Sequence, residues 1–325
     1  MRRRSLLTFP AALAAPVLAA PFLAIPALAQ ERYPSRPITI VVGFAAGGLG
    51  DATIRAIAEA LRPRLGVPIV VENRPGAGAT IAATRIARSR PDGHTLGLAT
   101  SSPFTVAPHL QSLPYDVTRD FTFVLQYLVT PHPAYVLTQS PFASWRQMVD
   151  WARANPEGLR WATAAPQGGP HIATEAAFRA EGLRTIFVPF GGGSEAITAL
   201  LGGHIDLVVS ADFPPLLDAG QVRLLAEIGP QRVPGMEQVP TFAELGYPLP
   251  LEIFFGIAGP AGLPAEVVTL WEDAMREHVA TPEWATLMRR FRSTSAFLPR
   301  ARFEPRVLEA FEKIGRLTRE LGFRS

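Results

Sequence analysis

Short apolar runs rich in β-branched residues alternate along this chain with longer stretches whose apolar residues recur every three or four positions. Runs of the first kind are typical of buried strands, and the spacing of the second kind places apolar residues on one face of a helix. The segment Ile38–Phe44 reads ITIVVGF, and the next stretch carries Ile54, Ile57 and Leu61 at helical spacing. This alternation predicts an α/β chain.

The predicted elements fall into two sets. Between residues 38 and 100 the order strand–helix–strand–helix–strand is typical of half of a doubly wound sheet with parallel strands. The second set begins near residue 134 and ends in three helices. Strands are predicted at residues 38–44, 67–72, 95–100, 134–137, 159–163, 185–189, 205–210, 223–229 and 252–258. Helices are predicted at residues 51–65, 79–88, 145–154, 171–181, 194–201, 265–279, 282–291 and 302–321.

We expect two similar α/β lobes, each built on a doubly wound, mostly parallel sheet. No short repeat and no low-complexity linker separates them, so the chain is expected to cross between the lobes more than once. The extended segments at residues 122–137 and 252–258 are the natural crossings and would act as a hinge. Lobe 1 is assigned residues 30–126 and 254–325, and lobe 2 is assigned residues 127–253.

The first 29 residues read as a secretory signal. Arg2, Arg3 and Arg4 precede a charge-free apolar stretch that ends in Ala-Leu-Ala, with a predicted cleavage after Ala29. The arginines also resemble a twin-arginine signal, so both export routes stay open. The stretch is long enough to span a membrane, but its four prolines would interrupt a spanning helix repeatedly. Export is favoured over anchoring, and in a host with two membranes the destination is the periplasm.

Composition and charge narrow the classes of function. Of the 325 residues, 48% are hydrophobic and 18% are charged, which excludes a disordered chain. The absence of cysteine excludes disulfides, thiolate zinc sites and cysteine nucleophiles. The net charge of +3 equals the contribution of Arg2, Arg3 and Arg4, so the chain from residue 30 onward is formally neutral. Without a basic stripe, binding to nucleic acid is not expected.

Glycine-rich turns follow several predicted strands and precede predicted helices. The segment from Gly43 to Asp51 reads GFAAGGLGD, and similar turns contain Gly168–Gly169 and Gly191–Gly193. Backbone N–H groups at the start of a helix bind anions, and in open α/β sheets such turns line one crevice. We expect Asp51 to cap its own helix. On the first segment alone, a tight turn without a ligand is an equal alternative.

Sequence signatures of catalysis are incomplete in this chain. Ser194 lacks the G-x-S-x-G context of a hydrolase nucleophile, and no Gly-Lys-Ser/Thr follows the first glycine-rich turn. The six histidines show no zinc-binding spacing. His171 is the one of interest, because it opens a predicted helix at a glycine-rich turn. We therefore expect no enzyme, no metal and no cofactor.

Ordered motifs along the chain carry a family resemblance. Residues 33–38 read YPSRPI, 71–78 VENRPGAG, 91–96 PDGHTL, 200–206 LLGGHID, 239–244 VPTFAE and 259–264 GPAGLP. In these motifs the chain resembles the substrate-binding proteins of tripartite tricarboxylate transporters, the Bug family, from about Tyr33 to Phe323. The resemblance implies a two-lobed periplasmic binding protein (type II-like) that holds a small carboxylate in its cleft. It also implies membrane permease subunits as partners, and a monomer is the default for such a receptor.

The resemblance extends to candidate ligand contacts. In the family, backbone N–H groups of the first glycine-rich turn hold the carboxylate, and the corresponding positions are Phe44, Ala46, Gly47, Gly48, Gly50 and Asp51. The motifs of the second lobe fall on Gln167, Gly168, Gly169, His171, Phe190 and Gly191. The candidates that follow predicted strands elsewhere are Thr100, Ser101, Ser102 and Asp212.

Departures from the family pattern bear on the ligand. Gly43 and Ala46 stand where the family usually has proline, Gly50 replaces a threonine, and Phe254 replaces a tryptophan. With fewer hydroxyl donors and an apolar Leu49 beside the turn, we expect a more apolar cleft. This favours a monocarboxylate or an aromatic acid over citrate, with dicarboxylic acids kept in the candidate class.

Two other functions stay open at the level of sequence. The closed form could signal to a sensor kinase instead of a permease, and the sequence does not separate these roles. An exported enzyme on the same scaffold is disfavoured, because no nucleophile–base pair occurs at motif spacing.

Overall fold

Two separate mixed sheets organise the chain in the computed structural model, which describes residues 33–323. The expected two-lobed α/β fold is confirmed, with one sheet at the centre of each lobe. The signal prediction for residues 1–29 and the cleavage after Ala29 lie outside the described residues. Within residues 33–323, no helix combines the length and the apolar character needed to cross a membrane.

The first sheet holds six of the described strands. They are β1 (Ile38–Val42), β2 (Ile69–Asn73), β3 (Thr95–Thr100), β4 (Phe121–Thr130), β10 (Ile253–Pro260) and β11 (Thr294–Pro299). Their order across the sheet is β11-β4-β10-β3-β1-β2. β1 pairs in parallel with β2 and β3, whereas β10 pairs antiparallel with β3 and β4, and β4 pairs antiparallel with β11.

The second sheet holds the five strands between β4 and β10. They are β5 (Pro133–Leu137), β6 (Arg160–Thr163), β7 (Ile186–Phe187), β8 (Leu207–Val209) and β9 (Val222–Glu227). Their order is β7-β6-β8-β5-β9. β6 pairs in parallel with β7 and β8, and β5 pairs antiparallel with β8 and β9.

Both sheets are thus mixed, whereas the sequence led us to expect mostly parallel sheets. The parallel part of each sheet comes from strands joined by helices, as predicted for residues 38–100. The antiparallel pairs involve β4, β5 and β10, which connect one sheet to the other. A strand that arrives from the other lobe needs no helical crossover, so nothing requires it to run parallel to its neighbour.

Helices cover the sheets and connect their parallel strands. They are α1 (Leu49–Leu65), α2 (Thr80–Ala87), α3 (Ala107–Leu110), α4 (Trp145–Ala154), α5 (Gly169–Ala180), α6 (Gly193–Leu201), α7 (Pro214–Asp218), α8 (Ala265–His278), α9 (Pro282–Arg290) and α10 (Arg300–Glu320). A 3-10 turn at Ala77–Ala79 and a π-helical turn at Ser102–Val106 precede α2 and α3.

The chain passes between the sheets twice. It leaves the first sheet at Thr130 and enters the second at Pro133, and it re-enters the first sheet at Ile253. The expected boundary between residues 126 and 127 falls inside β4, a strand of the first sheet, whereas the boundary between residues 253 and 254 falls at the start of β10. The division into lobes by those exact residue numbers stays a prediction.

Large buried aromatic side chains fill the core on each sheet. On the first sheet, Tyr127 meets Trp284 edge-on with 5.8 Å between ring centroids. On the second sheet, Trp161 meets Phe178 edge-on at 5.3 Å. All four side chains are fully buried, so each sheet offers a rigid support for the loops at its strand ends.

Candidate functional site

Three helices begin at the loops that face each other between the sheets. The N-cap residues of α1, α5 and α6 are Gly48, Gly168 and Gly192, and none of them provides a side-chain cap. By contrast, Ser144 caps α4 and Thr281 caps α9 with a side-chain oxygen. Uncapped helix starts leave backbone N–H groups unpaired and carry the positive end of the helix dipole. The region between the lobes is therefore suited to an anion.

These three helix starts contribute to one cavity of about 40 Å³, which we call the cleft cavity. A volume of this size has room for a few water molecules or a small ligand group. Its walls combine apolar and backbone surface with two hydroxyls, one imidazole and one carboxylate. The lining residues are Phe44, Ala45, Gly48, Leu49, Gly50, Thr100, Ser102, His132, Ala164, Ala165, Pro170, Gly193, Ala211, Asp212, Ile253 and Phe255.

Asp51 stabilises the first glycine-rich turn, although its side chain does not line the cleft cavity. Its buried carboxylate accepts the backbone N–H of Gly47 at 3.0 Å, Nε of Arg55 at 2.9 Å and Nδ2 of Asn73 at 2.9 Å. Burial alone would raise the pKa of Asp51, but these hydrogen bonds outweigh it and hold the pKa below its usual value. Asp51 therefore does not cap α1 as expected: the helix start has no side-chain cap, and Asp51 accepts an N–H that precedes the helix.

Asp212 joins the two lobes across the cleft cavity. Its Oδ1 accepts the backbone N–H of Leu49 at 2.7 Å, in the first turn of α1. Burial raises the pKa of Asp212, and the hydrogen bond from Leu49 acts in the opposite direction. Beside it, Oγ of Ser194 donates to the carbonyl of Ala46 at 3.2 Å, so the two lobes meet through hydrogen bonds at this edge.

The predicted contacts divide into those that line the cleft cavity and those that lie behind it. Phe44, Gly48, Gly50, Thr100, Ser102 and Asp212 line it. Ala46, Gly47, Asp51 and Ser101 of the first lobe are not among the lining residues. Ser101 is buried, and its hydroxyl has no hydrogen-bond partner among the described residues. A Cβ built on Gly169 would lie 3.3 Å from that hydroxyl, so Ser101 faces the start of α5.

Six of the second-lobe candidates shape the loops without lining the cleft cavity. They are Gln167, Gly168, Gly169, His171, Phe190 and Gly191. Nδ1 of His171 accepts the backbone N–H of Gln167 at 2.8 Å, and its ring stacks on Phe187 with 3.9 Å between centroids. Burial lowers the pKa of His171 to about 4, so the ring is neutral at pH 7. The arrangement of His171 is that of a residue that stabilises the turn before α5.

Sequence reasoning missed several lining residues, of which His132 is the most polar. His132 lies in the short segment between β4 and β5, where its Nδ1 is 3.2 Å from the carbonyl of Thr130. Since a carbonyl only accepts, Nδ1 carries the proton and Nε2 is the acceptor of the neutral ring. Burial lowers the pKa of His132 to about 4. Its position in a predicted crossing was the available signal.

The aromatic position on β10 also differs from the expectation. The sequence predicts Phe254 as part of the cleft, but it is buried against Phe303 with 5.4 Å between ring centroids. Phe255 lines the cleft cavity instead. Successive side chains of a strand point to opposite faces, so only one of the two neighbours can reach the cavity. The apolar character expected for the cleft is still present, through Phe255 and Phe44.

Comparison with known proteins decides the family. The sequence model of the family described as "Tripartite tricarboxylate transporter family receptor" matches residues 53–322. The chain is 33% identical over 276 residues to Protein BugT of Bordetella pertussis, covering 82% of this chain and 80% of that protein. The chain belongs to the tripartite tricarboxylate transporter receptor family. The family resemblance seen in the motifs is thereby confirmed.

Solved structures place the receptor beside other binding proteins. It matches the periplasmic binding protein BugD with a TM-score of 0.84 and 27% identity, over 90% of this chain and 100% of that chain. It matches MatC of Rhodopseudomonas palustris, solved with bound malate, with a TM-score of 0.81 and 27% identity. That match covers 88% of the receptor and 99% of MatC. The receptor is thus similar along its described length to binding proteins, one of which carries a carboxylate ligand.

Proposed function

We propose that this receptor captures a small organic carboxylate between its lobes, in the periplasm, for uptake by a tripartite transporter. One observation carries the proposal: three helices with uncapped glycine N-termini begin at a single cavity between the two sheets. Apart from the N–H of Leu49, which donates to Asp212, their N–H groups can donate to carboxylate oxygens without any basic side chain. Similarity to the malate-bound MatC supports the same chemical class.

The walls of the cleft cavity favour an acid with an apolar body. The rings of Phe44 and Phe255 and the side chains of Leu49 and Ile253 form much of its surface. The lining residues include no lysine and no arginine, so multiple ligand charges would have no cationic side chain opposite them. A monocarboxylate or an aromatic acid fits these walls better than citrate does.

The proposed role is binding followed by transfer, without turnover. Family membership and similarity to BugD, a periplasmic binding protein, support export and a receptor role. A ligand shifts the equilibrium between open and closed lobes only by its difference in affinity for the two forms. Contacts such as Leu49 with Asp212 form only when the lobes meet, so a ligand that fills the cavity between them favours the closed form. Permease subunits of the transporter are the proposed partner of that form.

A thermal-shift panel on residues 30–325 tests the proposal. Mono-, di- and tricarboxylates and aromatic acids are added to protein from which co-purified ligand has been removed. A ligand at 100 times its dissociation constant adds about 2.7 kcal/mol to the free energy of unfolding, which raises the midpoint by several degrees. We expect a shift confined to one class of acid. No shift with any acid, and no small acid released from denatured protein by mass spectrometry, would refute the proposal.

A matched pair of serine variants tests whether the acid binds in the cleft cavity. Ser102 lines the cleft cavity, whereas Ser35 is exposed elsewhere on the first lobe. Ser102→Ala removes a hydroxyl donor, so the affinity for the responding acid should fall by about three- to tenfold, as for one lost hydrogen bond. Ser35→Ala should leave the affinity unchanged. Equal effects of the two variants would place the ligand outside the cavity.

A further inference from the structure

A carboxylate of the second lobe occupies the first turn of α1. Oδ1 of Asp212 accepts the N–H of Leu49 at 2.7 Å. Two glycines enclose the carboxylate: a Cβ built on Gly48 would lie 3.3 Å from Oδ1, and a Cβ built on Gly193 would clash with Oδ2. The anion position at this helix start is therefore filled by the protein itself.

A buried hydrogen-bond network fixes Asp212 in that position. The backbone N–H of Asp212 donates to Oγ of Ser210 at 3.2 Å, and this hydroxyl pairs with the hydroxyl of Tyr135 at 2.9 Å. Ser210 and Tyr135 are both fully buried. These contacts hold the backbone at Asp212 beside the cavity, and the N–H of Leu49 holds its carboxylate there.

The charges around the cleft cavity leave Asp212 without a cationic side chain. Asp212 is the one carboxylate among the lining residues, and none of them is lysine or arginine. The other ionisable lining residue is His132, whose pKa burial lowers to about 4, so it is neutral at pH 7. One ligand carboxylate can use the free N–H groups at the starts of α5 and α6. A second one would share a cavity of about 40 Å³ with Asp212.

We propose that Asp212 determines which acids the receptor accepts, because its carboxylate excludes a second ligand carboxylate from the cleft cavity. In a small cavity that lacks a cationic side chain, Asp212 and a second ligand carboxylate cannot both be ionised without strong repulsion, and a site rejects a ligand through such a repulsive element. The receptor then selects acids with a single carboxylate. A ligand group that donates a hydrogen bond can still sit beside Asp212, since a carboxylate accepts. This inference rests on the proposed function, because it concerns the ligand of the same cavity.

Calorimetric titration with paired acids tests the role of Asp212. The probes are butyrate with succinate, and benzoate with terephthalate, so that each pair differs by one carboxylate. The protein is the chain from residue 30 to 325 as wild type, as Asp212→Asn and as Asp218→Asn. Asparagine at position 212 keeps an oxygen that can accept the N–H of Leu49 and removes the ionisable group. Asp218 is an exposed carboxylate paired with Arg292, outside the lining residues, and serves as the control.

The affinities of the three proteins for the paired acids decide whether Asp212 has this role. We expect wild type to bind the monocarboxylate of at least one pair more tightly, and Asp212→Asn to gain about tenfold or more in affinity for its dicarboxylate partner. The affinity of Asp212→Asn for the monocarboxylate should change little, and Asp218→Asn should behave as wild type. Equal affinity of wild type for the two members of every pair that binds, or an equal loss of affinity for both members in Asp212→Asn, would overturn the role of Asp212 without affecting the proposed receptor function. Binding of no acid by any of the three proteins would overturn both.

Discussion

The backbone N–H of His132 donates to Oε1 of Glu227 at 3.1 Å, and this bond links the two passages of the chain between the sheets. His132 lies between β4 and β5, and Glu227 ends β9, before the chain returns to β10. Oε1 also accepts the N–H of Gly229 at 2.9 Å, whereas Oε2 has no partner among the described residues. Burial raises the pKa of Glu227 to about 8, so this carboxyl group is neutral at pH 7.

The raised pKa of Glu227 predicts a pH dependence of stability. The unfolded chain releases this proton near pH 4.5, while the folded chain keeps it until about pH 8. Between these values the folded state binds more protons, so the free energy of unfolding falls as pH rises, by up to about 1.4 kcal/mol per pH unit. Glu227→Gln keeps an oxygen acceptor without the titration and should show a flatter curve.

Urea unfolding of wild type and Glu227→Gln between pH 6.5 and 8 measures this difference. The lowered pKa values of His132 and His171 contribute stability that is lost as pH falls, and at pH 6.5 half of each histidine is already protonated in the unfolded chain. This contribution is the same in wild type and in Glu227→Gln, so it cancels when the two curves are compared. Parallel curves for the two proteins would contradict a proton held by Glu227.

A substitution at Gly78 tests whether closure of the lobes controls the affinity for the acid. It lies in the 3-10 turn of the first lobe with φ of +63°, and a Cβ there would clash with the carbonyl oxygen of Pro166 in the second lobe. Gly78→Ala should therefore keep the lobes apart and weaken binding, by about tenfold if the closed population falls tenfold. Calorimetric titration with the responding acid gives the affinity.

Gly203 provides the control for the backbone strain that alanine has at a positive φ. Its φ is +71°, and a Cβ there meets nothing within 4 Å. Both variants should lose about 1 kcal/mol of stability. Only Gly78→Ala should bind the acid more weakly, and equal affinities of Gly78→Ala and Gly203→Ala would rule out contact between the lobes at Gly78.

The hydrogen bonds to Asp51 predict that this residue stabilises the first glycine-rich turn. Asp51→Ala removes the acceptor of Gly47, Arg55 and Asn73, and should cost about 1–3 kcal/mol of stability and reduce affinity for the acid, although Asp51 does not line the cavity. Asp51→Asn should lose less of both. Asp218→Ala, at an exposed carboxylate, is the control, and wild-type behaviour of Asp51→Ala in both measurements would contradict this role.

Asp51 also gives an acid-side pH dependence of the opposite sign to that of Glu227. Its pKa in the folded chain lies below the usual 3.8, so its contribution to stability is present above pH 3.8 and is lost as pH falls through the folded pKa. Asp51→Asn should lack this part of the acid unfolding curve. If the acid unfolding curve of Asp51→Asn matches that of wild type, the hydrogen bonds to Asp51 do not favour its charged form.

Much of the fold could be predicted from the local sequence pattern, because the spacing of apolar residues and the helix-capping residues indicate the same elements. Predicted and observed bounds agree for β3 and for α4, where the cap at Ser144 marks the start of the helix. For the long β4 the sequence predicts only an extended crossing, since nearly all of its residues are buried and apolar and polar positions do not alternate. The edge strand β11 has mostly half-buried and exposed residues and pairs only with β4, which leaves little local signal.

The candidate site was predictable where backbone geometry decides it. Glycines before α1, α5 and α6 indicate helix starts without side-chain caps, and the structure brings all three to one cavity. The choice between Phe254 and Phe255 depends on which face of β10 meets the cavity, which two neighbouring aromatic residues do not reveal. His132 reaches the cavity because the first crossing passes between the lobes, a property of the tertiary fold.

A crystal structure of residues 30–325 with the acid that gives the largest thermal shift tests the central claim most directly. The account predicts a single ligand carboxylate in the cleft cavity, within hydrogen-bond distance of backbone N–H groups at the starts of α1, α5 or α6, and enclosed by both lobes. A ligand carboxylate bound outside this cavity, or held there by lysine or arginine side chains, would contradict the account.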